Sequence, residues 1–478
     1  MNRAAALLVV ALFQCVAIRA ADGDRALPQK VDAIFAAYDR PESPGCALGV
    51  VQDGNFVYKR GYGMGSLELH SPLSPESEFY MGSVSKQFTA ASVVLAAEQR
   101  YLSLDDNVRK WIPELPDYGH PITLRQMLHH TSGLRDELGL LSIAGKPIED
   151  IYTTHELIDL IAHQKRLNFN PGDEYQYSNS NYFLLAQVVQ RATGVRFSQF
   201  AAENIFRKLS MVHTRFYDDR TLVLPGRVAA YSPRQGGGFR VDWSTNYEKV
   251  GDGGLMSSVD DLLLWDRNFY HNQLGKGTLL RELQTRGVLN NGKTINYALG
   301  LELGTYRGLP VVEHGGALFG YRTELLRFPE QKFSVICLCN LDTADPGAKA
   351  HAVADLYLAG KFRGSAPPSG RAPIAAERIQ PIRLSAAEQR SYAGDYESDE
   401  LETIYRIRSV GDKLTVQIGR DEAVPLLPAR RDEFRANLPG EFREPIEIQF
   451  KRESGKLIGF GLFAGAADGV RNIEFTRK

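Results

Sequence analysis

The sequence predicts an α+β fold: an antiparallel sheet flanked by helices and interrupted by a helical insertion, with a small all-β barrel at the C-terminal end. Strand-like runs occur near the N-terminus and again around residues 310–339, whereas residues 83 to about 270 have a predominantly helical pattern. Beyond residue 385, short alternating runs recur at close spacing. A sheet assembled from both ends of the main domain is the simplest arrangement that accommodates these observations.

The first 20 residues have the pattern of a secretory signal peptide. A short basic region with Arg3 precedes an apolar run over 4–13, and small residues follow Arg19. We therefore expect a signal peptide over 1–20 and a secreted or periplasmic protein. An uncleaved membrane anchor is the alternative, but Gln14 and Arg19 leave the apolar stretch too short to span a bilayer. Lipidation at Cys15 is not favoured, because Gln14 stands where a lipoprotein cleavage box needs a small residue.

The main domain is expected to cover residues 28–362. A helical pattern over 31–38 precedes two strands, 46–51 and 56–60, and Asp53-Gly54 between them is a strong hairpin signal. The second group of strands, and the helix after it, are expected at 310–314, 321–328, 333–339 and 348–358.

A change in composition separates the main domain from the C-terminal end. Residues 363–384 include the run Gly364-Ser365-Ala366-Pro367-Pro368-Ser369-Gly370, which is typical of a linker. Residues 385–478 are then expected to form a small barrel of short antiparallel strands. The clearest strand patterns lie at 403–408, 413–418, 446–450 and 457–460.

The charge balance excludes some classes of partner. Lys and Arg total 56 against 57 Asp and Glu among 478 residues, and no long basic run occurs. We therefore expect neither nucleic acid nor an anionic membrane as a partner. With 43% hydrophobic residues the chain can bury a large core, and no stable membrane span is expected after signal cleavage.

Three cysteines remain after signal cleavage, and an odd number does not define a disulfide framework. Cys337 and Cys339 alternate in a strand-like run and therefore point to one face. Buried packing thiols are the favoured interpretation, and a bridge from Cys46 to one of the other two is the alternative. Metal binding would need more ligands than these three residues provide.

Ser83 and Lys86 lie three residues apart at the start of a predicted helix. Residues at this spacing share a helix face, so the lysine amine can lie beside the serine hydroxyl. The N–H groups at the helix N-terminus can also stabilise a developing oxyanion. Alone the pattern is weak, since an N-capping serine and a solvated lysine would look the same.

A second polar motif follows at Tyr177-Ser178-Asn179, after a loop with Pro171 and Gly172. A tyrosine and an asparagine two residues apart on a loop can both face one cleft. A free phenol titrates near pH 10, so Tyr177 would need a lysine neighbour to act as a base near neutrality, and Lys86 is the candidate. A polar loop before a helix over 182–193 is the alternative interpretation.

The third motif is His314-Gly315-Gly316-Ala317, which leaves the strand predicted to begin at residue 310. Glycines there would let a substrate lie against the strand edge, and an N–H just after them could complete an oxyanion hole. His314 is expected to supply a hydrogen-bond donor or a partial positive charge. Alone, such a sequence is usually only a turn.

Together, these three motifs resemble those of the serine β-lactamase and penicillin-recognising superfamily, particularly its branch nearest class C β-lactamases. Residues 122–134 and 253–262 are similar to two further stretches typical of that branch. The resemblance covers roughly residues 28 to 362 and implies the β-lactamase-like, transpeptidase-like fold.

The resemblance also implies roles for the motif residues. Ser83 would be the acylated nucleophile, Lys86 and Tyr177 would share proton transfer, and Asn179 would hold the substrate amide. The N–H groups of Ser83 and Ala317 would form the oxyanion hole.

The third motif departs from the pattern of many β-lactamases. They carry Lys-Thr-Gly where this chain has His314-Gly315-Gly316, a variant common among the esterases and peptidases of the superfamily. Because histidine is mostly neutral at pH 7, it would hold a substrate carboxylate less firmly than lysine does.

The expected function is a secreted serine hydrolase that acts through an acyl-enzyme on peptides containing D-amino acids or on small amides and esters. The alternatives are a D,D-carboxypeptidase or class C-like β-lactamase, and a penicillin-binding-type sensor with negligible turnover. No cofactor or metal is expected, since His129-His130 lacks the carboxylate and third ligand of a zinc site. The C-terminal segment resembles the lipocalin-like barrels of D-aminopeptidases, which suggests a narrowed active-site mouth, an oligomer contact or a stabilising appendage.

Overall fold

A computed structural model describes residues 26–242, 248–365, 382–438, 445–464 and 469–478. The expected signal peptide and most of the expected linker lie outside these residues. Helix α1 covers 26–35 of the described chain. The strands of the main domain are β1 (Cys46–Gln52), β2 (Asn55–Tyr62), β3 (Met64–Ser66), β4 (Ser71–Pro72), β5 (Phe79–Tyr80), β6 (Arg215–Phe216), β7 (Tyr231–Pro233), β8 (Phe239–Val241), β9 (Leu255–Ser257), β10 (Glu302–Tyr306), β11 (Leu309–Leu318), β12 (Tyr321–Phe328) and β13 (Phe333–Cys339).

A six-stranded antiparallel sheet forms the centre of the main domain, in the order β10-β11-β12-β13-β1-β2. Strand β1 pairs with its hairpin partner β2 and with β13, which follows it by almost 300 residues. The predicted sheet built from both ends of the domain is therefore confirmed. Both faces of β1 and β13 are covered, which explains why these strands are apolar along nearly their whole length.

The paired ends of β1 and β13 carry a disulfide between Cys46 and Cys339, which are register partners. The favoured prediction of three packing thiols is therefore wrong, and the alternative bridge is present. Cys337 remains a free buried thiol, as predicted for it. The disulfide joins the N-terminal and C-terminal parts of the sheet covalently.

The helices lie mainly between β5 and β10, as the sequence predicts, although β6–β9 also fall in this segment. Helix α2 is buried from Ser85 to Ala96 and packs against α6. The helices of the main domain after α1 are α2 (Ser85–Glu98), α3 (Leu124–Leu128), α4 (Glu137–Ile143), α5 (Thr154–Ala162), α6 (Asn179–Thr193), α7 (Phe197–Ala201), α8 (Arg207–Leu209), α9 (Val259–His271), α10 (Leu279–Leu283) and α11 (Pro346–Tyr357).

A closed eight-stranded antiparallel barrel forms the C-terminal end and confirms the predicted small barrel. Its inward side chains alternate along each strand and include stacked rings such as Phe460 and Phe475. The barrel follows helix α12 (Ala386–Tyr392) and consists of β14 (Gly394–Ser398), β15 (Thr403–Val410), β16 (Lys413–Ile418), β17 (Val424–Arg430), β18 (Glu433–Ala436), β19 (Ile446–Glu453), β20 (Lys456–Ala464) and β21 (Val470–Arg477).

Two local predictions need correction. His314, Gly315 and Gly316 do not leave their strand, because β11 continues through them to Leu318 and pairs with β12 along its length. Asn179 is the first residue of α6 rather than a loop residue. Within the described ranges, no helix combines the length and apolar character needed to cross a bilayer.

Candidate active site

The Ser83 turn joins β5 to the central helix. Ser83 lies in a single turn of 3₁₀ helix, Gly82–Val84, and Lys86 lies in the first turn of α2. The Nζ atom of Lys86 lies 3.0 Å from the Oγ atom of Ser83. The three-residue spacing thus produces the contact that the sequence predicts.

The Lys86 ammonium is buried and has two further partners. Its Nζ atom lies 2.7 Å from Asn179 Oδ1 and 2.7 Å from the backbone oxygen of Asp252. Burial lowers the pKa of Lys86 to about 8, while the carboxylates of Asp252 and Glu137 oppose that shift. A substantial fraction of Lys86 is therefore neutral near pH 8, where it can accept a proton from Ser83.

Tyr177 packs against the same lysine. The Lys86 Nζ atom lies 4.8 Å from the centroid of the Tyr177 ring. Burial raises the pKa of Tyr177 well above its usual value, and the Ser83 side chain opposes that shift. Tyr177 is therefore a neutral phenol at physiological pH, suited to passing a proton rather than to carrying a lasting negative charge.

Strand β11 approaches the Ser83 turn so closely that only glycines fit at two positions. A Cβ atom on Gly316 would lie 2.1 Å from the Met81 oxygen, and one on Gly82 would lie 2.7 Å from the Ala317 nitrogen. Gly82 also has φ +52°, a conformation that favours glycine. This close approach brings Ala317 to the mouth of the same cleft as Ser83.

Both ring nitrogens of His314 form hydrogen bonds within the protein. Its Nδ1 atom lies 2.7 Å from the Gly315 oxygen and must donate there, because a carbonyl can only accept. The Nε2 atom therefore accepts from the Tyr297 hydroxyl at 3.0 Å. Burial lowers the pKa of His314 to about 4. The expectation that His314 offers a donor or positive charge to a substrate does not agree with this geometry.

A cleft of about 100 Å³ opens at Ser83. It brings together Ser83, Tyr177, Asn179 and Ala317 of the predicted site, whereas His314 lies behind it in the core. The cleft is lined by Tyr80, Gly82, Ser83, Leu138, Ile148, Tyr177, Asn179, Lys249, Asp252, Gly253, Ala317, Leu318 and Phe319.

Sequence reasoning missed a buried ion cluster at this cleft. Lys249 Nζ lies 2.6 Å from Glu137 Oε1 and 2.8 Å from Asp252 Oδ2. Burial opposes charge on Lys249, but Asp252 and Glu137 together raise its pKa. Burial also raises the pKa of Glu137 to about 7. The sequence contains only one indication of this ion cluster: Glu137 and Asp252 lie close to the two family-like stretches at 122–134 and 253–262.

No catalytic role is needed for the paired histidines. His130 is buried, and its ring centroid lies 4.3 Å from that of Tyr177. Within the described ranges, only Cys46, Cys337 and Cys339 form a group of three or more side chains at metal-ligand spacing. Two of those sulfurs are joined in the disulfide, so the group does not offer a metal site.

Two curated relatives are similar to the main domain. The chain is 30% identical over 322 residues to a D-aminopeptidase of Gluconobacter oxydans, covering 67% of this chain and 60% of that protein. It is 29% identical over 309 residues to penicillin-binding protein 4* of Bacillus subtilis, covering 60% of this chain and 66% of that protein. The chain thus matches less than two thirds of the length of each relative.

A solved structure is similar over both the main domain and the barrel. The octameric penicillin-binding protein homologue from Pyrococcus abyssi matches with a TM-score of 0.63 and 22% identity, covering 94% of this chain and 99% of that chain. At this identity the match establishes the fold alone. The Beta-lactamase family itself matches residues 31–359, well over half of the sequence and all the elements that meet at Ser83. The chain therefore belongs to the Beta-lactamase family.

Proposed function

We propose that this protein is a serine hydrolase that forms an acyl-enzyme on Ser83. The contact that carries this proposal is the 3.0 Å separation between Lys86 Nζ and Ser83 Oγ, with a lysine whose pKa is lowered to about 8. A neutral amine in hydrogen-bonding contact activates a serine that is otherwise a weak nucleophile.

The proposed reaction has two halves. Ser83 Oγ attacks the substrate carbonyl while its proton passes to Lys86, and the N–H groups of Ser83 and Ala317 hold the oxyanion. The Tyr177 hydroxyl then gives its proton to the leaving nitrogen or oxygen and takes up the proton held by Lys86. This relay releases the first product, leaves the acyl group on Ser83 and returns Lys86 and Tyr177 to their neutral forms. Water then attacks the ester carbonyl, and the reverse proton transfers regenerate the Ser83 hydroxyl and release the acid.

The cleft favours substrates without a carboxylate beside the scissile bond. In the described lining, Lys249 is the cation that could meet a carboxylate, and two acids already neutralise it. His314 is neutral and buried. Conversely, the similarity of the main domain to a D-aminopeptidase supports substrates of that class. We infer that amides and peptides with a free N-terminal D-amino acid are the preferred substrates, with small esters also accepted.

A substrate panel tests this function. The full chain, Ser83→Ala and the control Ser85→Ala are assayed with D- and L-aminoacyl p-nitroanilides, an N-acetylated D-analogue, p-nitrophenyl acetate, nitrocefin and a D-Ala-D-Ala peptide. We expect D-aminoacyl turnover that is lost in Ser83→Ala, kept in Ser85→Ala and weakened by N-acetylation. Turnover confined to nitrocefin or D-Ala-D-Ala would instead establish a β-lactamase or carboxypeptidase. A stable Ser83 adduct without turnover of any substrate would indicate a sensor.

Secretion to an oxidising compartment is also proposed. The signal-peptide pattern over 1–20 and the Cys46–Cys339 disulfide both support it, since such bonds persist mainly outside the cytosol. Cell fractionation and N-terminal sequencing of the mature protein test it.

Oligomerisation through the C-terminal barrel, with a domain boundary at 363–384, is proposed as well. The octameric Pyrococcus homologue supports assembly of this chain into an oligomer. Light scattering of the full chain tests the oligomer, and limited proteolysis, with cuts expected at 363–384, tests the boundary.

A further inference from the structure

The carboxamide of Asn179 is held between a lysine and a buried carboxylate. Its Oδ1 atom accepts from Lys86 at 2.7 Å, and its Nδ2 atom donates to Asp136 Oδ2 at 2.9 Å. The backbone N–H of Asn179 donates to the same carboxylate oxygen at 2.5 Å. A flipped amide would place its NH₂ group against the ammonium and its oxygen against the carboxylate. Asp136 therefore determines which end of the amide faces Lys86.

Asp136 is surrounded by N–H donors. Besides the two from Asn179, its Oδ1 atom accepts from the backbone N–H groups of Leu138 and Gly139 at 3.0 and 3.1 Å, which caps α4. Burial raises the pKa of Asp136, and the backbone donors oppose that shift. With four donors on two oxygens, no position is left for a proton, so we assign the anionic form.

The barrel contacts the backbone of Asp136. The backbone N–H of Asp136 donates to the backbone oxygen of Gly469, the residue before β21, at 3.1 Å. The same Gly469 oxygen accepts from Asn168 Nδ2 at 2.7 Å. A Cβ atom on Gly469 would lie 3.0 Å from Asp136 Cβ and 3.1 Å from the backbone oxygen of Tyr177. The barrel backbone is thus in contact with the segment that carries the catalytic motif.

The residue before Asp136 is joined to the barrel as well. The Arg135 side chain is fully buried, and its Nη1 atom donates to Glu400 Oε1 in the β14–β15 loop at 2.7 Å. Its Nη2 atom donates to the Asn472 oxygen at 2.9 Å. Glu400 Oε1 also accepts from the Lys165 backbone N–H at 2.7 Å. Without Glu400, Arg135 would be a buried cation lacking its counter-ion, which a folded chain tolerates poorly.

We propose that the barrel is part of the catalytic arrangement: Glu400 and Gly469 fix Asp136, and Asp136 orients Asn179 toward Lys86. Asp136 and Glu400 are positioning residues, since neither is placed to touch the substrate. The kinetic consequences of this proposal rest on the proposed function. The positioning of Asn179 and Lys86 by Asp136 can be measured on the protein without substrate.

The charge on Lys86 reports on this arrangement. The ionisable side chains that face Lys86 from the elements around it are Asp136, Glu137, Lys249, Asp252, His130 and His314. The rings of Tyr177 and Tyr182 also lie against its ammonium. Asp136 is one of the acids that stabilise the ammonium, so removal of its charge moves the Lys86 titration to lower pH.

Three variants of the full chain test the proposal. Asp136→Asn keeps the shape but removes the charge, and Asp345→Asn is its control, because Asp345 caps α11 in the same manner. Glu400→Gln removes the counter-ion of Arg135. Its control is Asp399→Asn, which breaks the exposed Lys165 ion pair at the same contact. The readouts are the rate of Ser83 labelling by a fluorophosphonate and NMR titration of ¹³Cε-labelled lysine.

We expect Asp136→Asn to move the Lys86 titration to lower pH. At a pH above both titrations, where Lys86 is neutral in the wild type and in the variant, we expect labelling to be slower on the order of ten- to a hundredfold. Glu400→Gln should slow labelling and lower the pH of the Lys86 titration to a smaller extent. The controls Asp345→Asn and Asp399→Asn should match the wild type in both readouts. Folded Asp136→Asn and Glu400→Gln proteins with the wild-type Lys86 titration would overturn the proposal. Absence of labelling in the wild type would overturn the proposed function instead, and the NMR titration would still decide the positioning role.

Discussion

The Lys86 Nζ atom lies 3.0 Å from the Ser83 Oγ atom and donates at the same time to Asn179 Oδ1 and the Asp252 backbone oxygen. These two oxygen acceptors orient the Lys86 amine toward the Ser83 hydroxyl. Burial lowers its pKa to about 8. Proximity and a lowered pKa together support the proposal that this pair acts as a nucleophile and its base.

The first prediction concerns pH. In the proposed mechanism neutral Lys86 is the active form, so kcat/KM for the best substrate of the panel should rise with pH and reach half its plateau near pH 8. Activity should be lost as pH falls, because the protonated amine cannot accept the Ser83 proton. Lys86→Arg, which has no neutral form in this range, should lower kcat/KM on the order of 10²- to 10⁴-fold. An acid limb centred near pH 6 in the wild type would contradict this assignment and indicate a histidine.

The sheet was predictable because its signals are local. Asp53-Gly54 marks a hairpin, and the apolar run of β13 leaves little choice of structure. Several barrel strands had no such signal. Strand β17 contains Pro425 and Pro428, which reduce its strand character in any sequence-based prediction, and it pairs only over short segments of β16 and β18.

The site was predictable only where motif spacing carries the chemistry. The approach of Ser83, Lys86, Tyr177 and Asn179 follows from the motifs. The role of Asp136 does not, because it depends on tertiary contact with Asn179 across 43 positions. The partner of His314 Nε2 is likewise Tyr297, a neighbour supplied by folding rather than by sequence proximity.

The second prediction concerns the disulfide. Cys46→Ala should lower the free energy of unfolding by about 2–4 kcal/mol, because the bond closes a very long loop between β1 and β13. Urea denaturation with and without reductant measures this loss. Cys337→Ala is the control and should cost about 1 kcal/mol from its small cavity. Peptide mapping that found Cys46 and Cys339 unlinked in the purified protein would refute the prediction.

The third prediction concerns the tight turn before the nucleophile. Gly82→Ala introduces strain at φ +52° and a Cβ atom 2.7 Å from the Ala317 nitrogen, so β11 must move away from Ser83. We expect a loss in kcat on the order of tenfold or more, since the oxyanion donors separate. Gly292→Ala has comparable backbone strain at φ +82° but open space around it, and it should keep full activity. Equal activity in the two variants would show that the close approach of β11 is not required.

The fourth prediction concerns the buried pair of Tyr297 and His314. Tyr297→Phe removes the donor to His314 Nε2 and leaves a buried acceptor without a partner, which should cost about 1–3 kcal/mol of unfolding free energy. Because burial lowers the pKa of His314 to about 4, the ring should stay neutral in the variant and activity near pH 8 should change little. Urea denaturation measures the change in unfolding free energy, and ¹⁵N NMR of the histidine ring measures its protonation.

The control is Tyr306→Phe, which removes a 3.2 Å contact to the partly exposed Asp355 and should lower the unfolding free energy by a smaller amount. A ring that titrates near neutral pH in Tyr297→Phe would show that the tyrosine, rather than burial, keeps His314 uncharged.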